Sequence, residues 1–321
     1  MQKKLLIVCG PTATGKTKLA IALAHKFNGE LVSSDSRQVY KGMDIGTGKD
    51  ILKNSKIKHL QEVGCGYYEI GSVKVWGYDL VEPTADFSVA GYFEIIKDVI
   101  SNIWEREKLP VIVGGTGLYI KSIIDGIETS TIPRNPRLRE ELERKEVCDL
   151  FNILTEVDSK KAKSLNGSDR NNPRRLIRAI EVAKYLEKNP NLKMLDKLKF
   201  DSLLMVGLDT DKGILDKKIK ERVDKRLMNG FEKEVMRLLK KGIDWKYQSM
   251  QGIGYRQYEK YRKGVVSKSE FINEWFLEEC RYSKRQTTWF KKDKRIVWFD
   301  ISKPNFIGNV ENIVQSWYYD K

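Results

Sequence analysis

One eight-residue stretch, Gly10-Pro11-Thr12-Ala13-Thr14-Gly15-Lys16-Thr17, constrains this 321-residue chain more than any other. It follows a short apolar run, KLLIVC (4–9). It opens KTKLAIALAHKF (16–27), whose apolar residues recur at helical spacing. Strand, glycine loop and helix, in that order, make G-x-x-x-x-G-K-T a phosphate cradle. Successive backbone N–H groups and the helix N-terminus face the anion. Lys16 suits the terminal phosphate and Thr17 suits Mg²⁺. The chain is thus expected to begin as an α/β protein that binds a phosphorylated compound.

The rest of the N-terminal part repeats the theme. ELVSSDS (30–36) reads as a second strand ending on Asp35, and PVIVGGTGLYIKSIIDG (110–126) as strand, glycine turn and helix. SVAGYFEIIKDVISNIWEREK (88–108) is a long helix with Ser88 as its N-cap. Alternating strands and helices predict a P-loop NTPase-like parallel sheet with helices on both faces. From 136 to 186 the chain is helical and highly charged, without a strand signal. A strand returns at SLLMVGLD (202–209), helices follow at 212–241 and 267–292, and RIVWFDI (295–301) is a late strand. The expected organisation is a catalytic core, 1–126 and 198–321, carrying a mainly helical insertion, 127–197. The stretch 52–78 reads as a loop or small hairpin.

Several classes are disfavoured. No apolar run approaches the roughly 18 residues of a membrane span, and LLIVC is too short for a secretory leader. Cys9, Cys65, Cys148 and Cys280 form no C-x-x-C pair, and His25 and His59 have neither metal nor triad spacing. Reduced thiols and a cytoplasmic, monomeric protein are expected. Lys and Arg number 59 against 44 Asp and Glu, a net charge of +15. That surplus favours a polyanionic partner.

The usual companions of an ATPase loop are missing. PVIVGGT ends in Gly114-Gly115-Thr116, with no acid to hold Mg²⁺ or activate water. Asp35 is the other candidate acid. It suits the base of a small-molecule kinase, and equally an enzyme that moves a group off a diphosphate. Basic residues cluster in NNPRRLIRAIEVAKY (171–185), where Arg174 and Arg178 share a helix face with no acid to neutralise them on it. A second cluster, CRYSKRQTTWFKKDKR (280–295), interleaves cations with Tyr282, Trp289 and Phe290. That pattern suits RNA, although core positions for Trp289 and Phe290 are the stronger expectation.

Together these segments resemble the tRNA dimethylallyltransferases, also called tRNA isopentenyltransferases. The matching stretches are GPTATGKT (10–17), DSRQVYKGMDIGTGK (35–49), GGTGLY (114–119), NPRRLIRAIEV (172–182), RVDKRLMNGFEKEV (222–235), GIGYRQ (252–257) and KRQTTWF (284–290). They span almost the whole chain in family order. The resemblance implies transfer of a dimethylallyl group from dimethylallyl diphosphate to the exocyclic amine of the adenosine 3′ of a tRNA anticodon. Gly10 to Thr17 then holds the diphosphate with Mg²⁺ at Thr17, and Lys16 and Arg222 stabilise the leaving group. Asp35 accepts the amine proton, and Thr116 binds substrate. Asp35, Ser36, Arg37, Gln38, Thr116, Arg139, the run Arg174-Arg175-Leu176-Ile177-Arg178, Arg256 and Arg281 are implied to contact the tRNA anticodon stem-loop. Three departures stand out. VWGYDLVEP (75–83) replaces the family's histidine-containing stretch, Lys218 stands where arginine is common, and no zinc-finger extension follows, as in bacterial-type members. A prenyltransferase acting on free adenine nucleotide and a P-loop small-molecule kinase are the rival readings.

Overall fold

The computed structural model describes residues 2–51, 56–60, 63–127, 129, 132–190 and 197–320. Eight strands form one sheet: β1 Lys4–Cys9, β2 Gly29–Ser33, β3 Lys58–His59, β4 Gly66–Ile70, β5 Val73–Trp76, β6 Leu109–Val113, β7 Ser202–Asp209 and β8 Ile296–Asp300. Their order is β3-β4-β5-β2-β6-β1-β7-β8. The run from β5 to β8 is parallel, whereas β3 and β4 are antiparallel additions at one edge. The sheet is therefore mixed, and most of 52–78 is the hairpin β4–β5 with its flanking strand. Residues 52–55 and 61–62 of that stretch lie outside the described residues.

The helices are α1 Lys16–Lys26, α2 Val89–Glu105, α3 Gly117–Ile124, α4 Pro136–Glu143, α5 Val147–Val157, α6 Ser159–Ser164, α7 Gly167–Arg170, α8 Pro173–Lys188, α9 Lys212–Met228, α10 Phe231–Lys240, α11 Tyr255–Arg262, α12 Lys268–Phe290 and α13 Phe306–Tyr319. The segment expected as one helix over 212–241 is broken at Gly230, whose φ of 101° interrupts the helical backbone. The C-terminal helix α13 is an addition to the expected elements.

β1, β2 and β6 are buried along their whole length, as central strands of a parallel sheet are, and the buried Glu30 of β2 is paired with Arg106. Alternate residues of β1 feed two cores. Leu5, Ile7 and Cys9 join Ile96, Ile100, Ile120 and Ile123 of α2 and α3. Leu6 and Val8 join Leu19 and Leu23 of α1 and Val310 and Val314 of α13. Val8 and Ser33 both pair with Val113, so the carboxyl ends of three central strands reach the same edge. A parallel α/β sheet binds ligands at that edge.

The chain divides into two compact units, 1–125 with 198–321, and 126–197. The second is a bundle of α4 to α8 around Leu142, Leu150, Leu154, Leu176, Ile177 and Ile180. Among the described residues no helix is long and apolar enough to cross a membrane.

Candidate active site

The loop between β1 and α1 is shaped by its own side chains. Gly10 has φ +131°, and a Cβ there would strike the Leu208 carbonyl of β7, so only glycine fits. Ala13 also takes a left-handed backbone, φ 65°, a strain of the kind stored at binding loops. Thr14 Oγ1 donates to the Pro11 carbonyl at 2.9 Å, and Lys16 Nζ reaches the same oxygen at 2.6 Å. Pro11 and Thr14 thus build the turn, and Lys16 lies folded along it. Burial, followed by the charge of Arg222, lowers the Lys16 ammonium to about 8.

Helix α9 supplies the opposite wall. Arg222 Nη1 donates to the Thr12 hydroxyl and pairs with no carboxylate among the described residues. Burial and its neighbour Arg226 push Arg222 down to about 10. Arg226, one turn on, pairs with Glu279 of α12 at 2.7 Å, both side chains being almost fully buried. The i, i+4 repeat in RVDKR places both guanidiniums on one helix face. Arg226 is therefore a cavity-lining residue whose signal in the sequence is that repeat.

Gln286 of α12 lines the cavity too. Its Oε1 accepts from Thr12 N at 2.8 Å, and its Nε2 donates to the Gly115 carbonyl at 3.0 Å. The phosphate loop and the glycine turn after β6 are tied together by this one amide. The Thr12 N–H is committed to Gln286 and the Thr12 hydroxyl accepts from Arg222. Thr116 Oγ1 accepts from Ser36 N at 3.1 Å, coupling that turn to the Asp35 segment. Asp35 lies past the end of β2, where its Oδ1 accepts from Arg37 N at 2.8 Å. Tyr282 is raised to about 12 by burial and by the nearby Asp35 charge.

Most of these groups open into one cavity of about 1620 Å³, lined among others by Lys16, Thr17, Asp35, Ser36, Arg222 and Arg226, whereas Thr116 is not part of the lining. Arg37 and Gln38 reach it too, but with their polar groups engaged. Arg37 donates to the Gln248 carbonyl at 2.9 Å, and Gln38 bridges Ser33 Oγ at 2.8 Å and the Gly48 carbonyl at 3.0 Å. Arg256 lines the cavity and shares Glu278 with Arg281, at 3.0 and 2.6 Å. Arg281 is not part of the lining. Phe290 is buried, as expected, whereas Trp289 is 43% exposed and lies over Gly117.

The basic run of α8 differs from its expected role. Leu176 and Ile177 are buried in the insertion's core, because consecutive apolar residues on an amphipathic helix turn inward. Their assignment as RNA contacts is corrected. Arg178 is not free of acids: it pairs with Glu181 at 2.5 Å and donates to the Thr129 and Ile132 carbonyls at 2.7 and 2.9 Å. Arg139 grips the same Glu181 with two bonds, 2.9 and 2.7 Å. Burial opposes the Glu181 charge, but the two guanidiniums and the Asn135 N–H outweigh it and hold the carboxyl at about 2. Arg175 pairs with Asp169. Arg174 is exposed and makes no ion pair among the described residues.

A phosphate loop, uncompensated cations and a carboxylate around one cavity at the sheet edge define a P-loop group-transfer class. The sequence model for IPP transferase matches residues 38–293, and that for isopentenyl transferase matches residues 3–63. A tRNA dimethylallyltransferase of Syntrophomonas wolfei is 35% identical over 93% of this chain and 92% of its own length. One of Finegoldia magna is 36% identical over the full length of both. The crystal structure of a full-length tRNA isopentenylpyrophosphate transferase from Bacillus halodurans aligns with a TM-score of 0.69 and 34% identity, covering 99% of this chain and 97% of that one. The chain belongs to the IPP transferase family.

Proposed function

We propose that this chain transfers a dimethylallyl group from dimethylallyl diphosphate to the exocyclic amine of the adenosine 3′ of a tRNA anticodon. The observation that carries this reading is the charge pattern of the cavity. Lys16 and Arg222 face it without an ion-pair partner among the described residues, while β6 ends in Val113 and is followed by Gly114-Gly115 rather than by an acid suited to activate water. Such a site favours charge building on a leaving group over hydrolysis.

In the reaction the bond between the allylic carbon and the diphosphate oxygen breaks, and its electron pair leaves with the diphosphate. The amine nitrogen forms the new bond to that carbon. One oxygen of Asp35 is held by Arg37 N, and the carboxylate accepts the proton that the amine loses. Arg222 and Lys16 stabilise the departing charge. The Thr17 hydroxyl, at the first turn of α1 and on the cavity wall, is a hard oxygen donor of the kind Mg²⁺ takes alongside phosphate oxygens and water. Bound there, Mg²⁺ would neutralise charge on the diphosphate. The insertion is assigned to clamping the tRNA, with the exposed Arg174 among its cations.

Mass spectrometry of tRNA nucleosides after incubation with dimethylallyl diphosphate tests the reading. Isopentenyladenosine in tRNA is the expected product. Prenylated AMP with unmodified tRNA, or ATP turnover without any acceptor, overturns it in favour of the nucleotide prenyltransferase or the kinase.

A further inference from the structure

The segment Asp44–Lys49 lines the cavity, and its position depends on a side chain outside the cavity. Glu234 of α10 is 4% exposed. Its Oε2 accepts from Asp44 N and Ile45 N, both at 2.8 Å, and its Oε1 accepts from Gly46 N at 2.9 Å and from Tyr255 Oη at 2.7 Å. Three consecutive backbone N–H groups converging on one buried carboxylate fix that loop as firmly as a helix cap fixes a helix end. Gly46 admits no Cβ, because Tyr255 fills that space. At the far end of the segment, Lys49 Nζ bonds the Tyr40 carbonyl and Asp44 Oδ1, each at 2.8 Å, and Asp79 Oδ1 at 2.5 Å.

Between these two clasps lies Gly48, at φ +66°. A Cβ on Gly48 would lie 2.5 Å from Arg222 Nη2 and 2.8 Å from Arg226 Nη2. The loop backbone is thus the surface against which both guanidiniums rest. Gln38 donates to the Gly48 carbonyl at 3.0 Å, linking the same point to the Asp35 segment. Among the described residues the hydrogen bond that Arg222 makes is to the Thr12 hydroxyl, so its aim depends on where Gly48 stands.

We infer that Glu234 is a positioning residue for the transfer reaction, acting through the Asp44–Gly48 loop on Arg222 and Arg226. The inference rests on the transferase reading above. It gives the second glutamate of GFEKEV a task that its place on α10, behind the loop, does not suggest. Glu234 touches neither substrate nor reacting atoms. A misplaced guanidinium costs stabilisation of charge that develops only as the diphosphate departs, so the loss falls on kcat.

The experiment compares Glu234→Gln, Gly48→Ala and their double variant with the unaltered chain, using tRNA and dimethylallyl diphosphate, below each variant's melting temperature and per folded molecule. Glu234→Gln keeps the volume but turns an amide N–H towards backbone donors, and Gly48→Ala displaces the guanidiniums directly. Both are expected to lower kcat about a hundredfold, as a misplacement of about 1 Å does, with tRNA KM held within about twofold. The double variant is expected to be no worse than the weaker single, because both act through one loop. Hydrogen exchange at Asp44, Ile45 and Gly46 should quicken in Glu234→Gln. Should that variant not fold, Glu234→Asp, which withdraws the carboxylate by one methylene, is judged by the same readings. Unchanged kcat with only a lowered melting temperature, or losses that multiply in the double variant, would overturn the inference. Absence of prenylated tRNA nucleoside with the unaltered chain would overturn the transferase reading instead.

Discussion

Two arginine pairs, Arg222 with Arg226 in the core and Arg139 with Arg178 in the insertion, are each served by one buried glutamate. In the insertion, Glu181 takes both guanidiniums, and Arg178 gives its remaining donors to two backbone carbonyls. In the core, Glu279 takes only Arg226, and Arg222 is left against a threonine hydroxyl beside Lys16. Residue type and count are the same, but the first arrangement is satisfied within the protein and the second keeps positive charge towards a cavity. The difference teaches that donor satisfaction, rather than the presence of arginine, separates a structural cluster from an anion site.

The sharpest way to test this comparison is to remove the proposed base while leaving the cations in place. Asp35→Ala is expected to lower single-turnover prenylation by about 10²–10⁴-fold and to leave tRNA affinity within about twofold. Loss of RNA binding with single-turnover rates intact would remove Asp35 from the role of base.

The two pairs should then respond in opposite ways to truncation. Glu181→Ala strands two partly exposed guanidiniums and should cost about 1–3 kcal/mol, the cost of leaving donors unsatisfied, read as early melting of the insertion. Arg222→Ala should leave the melting temperature unchanged or raised, because it removes a desolvated cation, while lowering the transfer rate about 10²–10³-fold. A large loss of stability in Arg222→Ala would erase the distinction between the clusters.

Acid and alkali separate them further. Glu181 sits at about 2 rather than its ordinary 4.5. Its stabilisation is therefore complete above about 4.5 and is lost as pH falls towards 2, where the folded state must take up a proton. Lys16 moves down from 10.5 to about 8. Its folded form gives up a proton that the unfolded chain retains, so its burden on stability eases as pH rises from about 8 to 10.5. Affinity for the diphosphate donor runs the other way, weakening above about pH 8 as the ammonium is lost. Lys16→Arg, which stays charged, should abolish that inflection in a profile of KM against pH.

The smallest effect is expected at Arg174, the exposed member of the α8 run. Arg174→Ala should weaken tRNA binding a few-fold and reduce the slope of log affinity against log salt by about one. An unchanged slope would mark Arg174 as a solvated residue.

Much of the fold was legible because local patterns agree with it. Continuous apolar runs read as buried strands, and Ser88 accepts from Gly91 N as the cap expected of it. Gly10 and Gly15 punctuate the loop at left-handed positions. The hairpin β4–β5 was harder to read, since GYYEI and VKVW pair with each other across a two-residue turn rather than following a helix. Gly230 splits a segment whose charge pattern continues across the break.

The site divides along the same line. Lys16, Thr17 and Asp35 were readable because a short motif or a strand end sets their place. The i, i+3 spacing of Arg178 and Glu181 was in the sequence, but nothing there showed that Glu181 would also claim Arg139, since partners 42 residues apart meet only when α4 packs on α8. Gln286 reaches Thr12 across 274 residues, and Glu234 reaches Asp44 across 190. By itself the sequence determined the phosphate cradle, its flanking strand and helix, and the surplus of cations. Which cations face the cavity, and which are spent on buried glutamates, was decided by tertiary structure, because a hydrogen bond depends on where two groups stand in space.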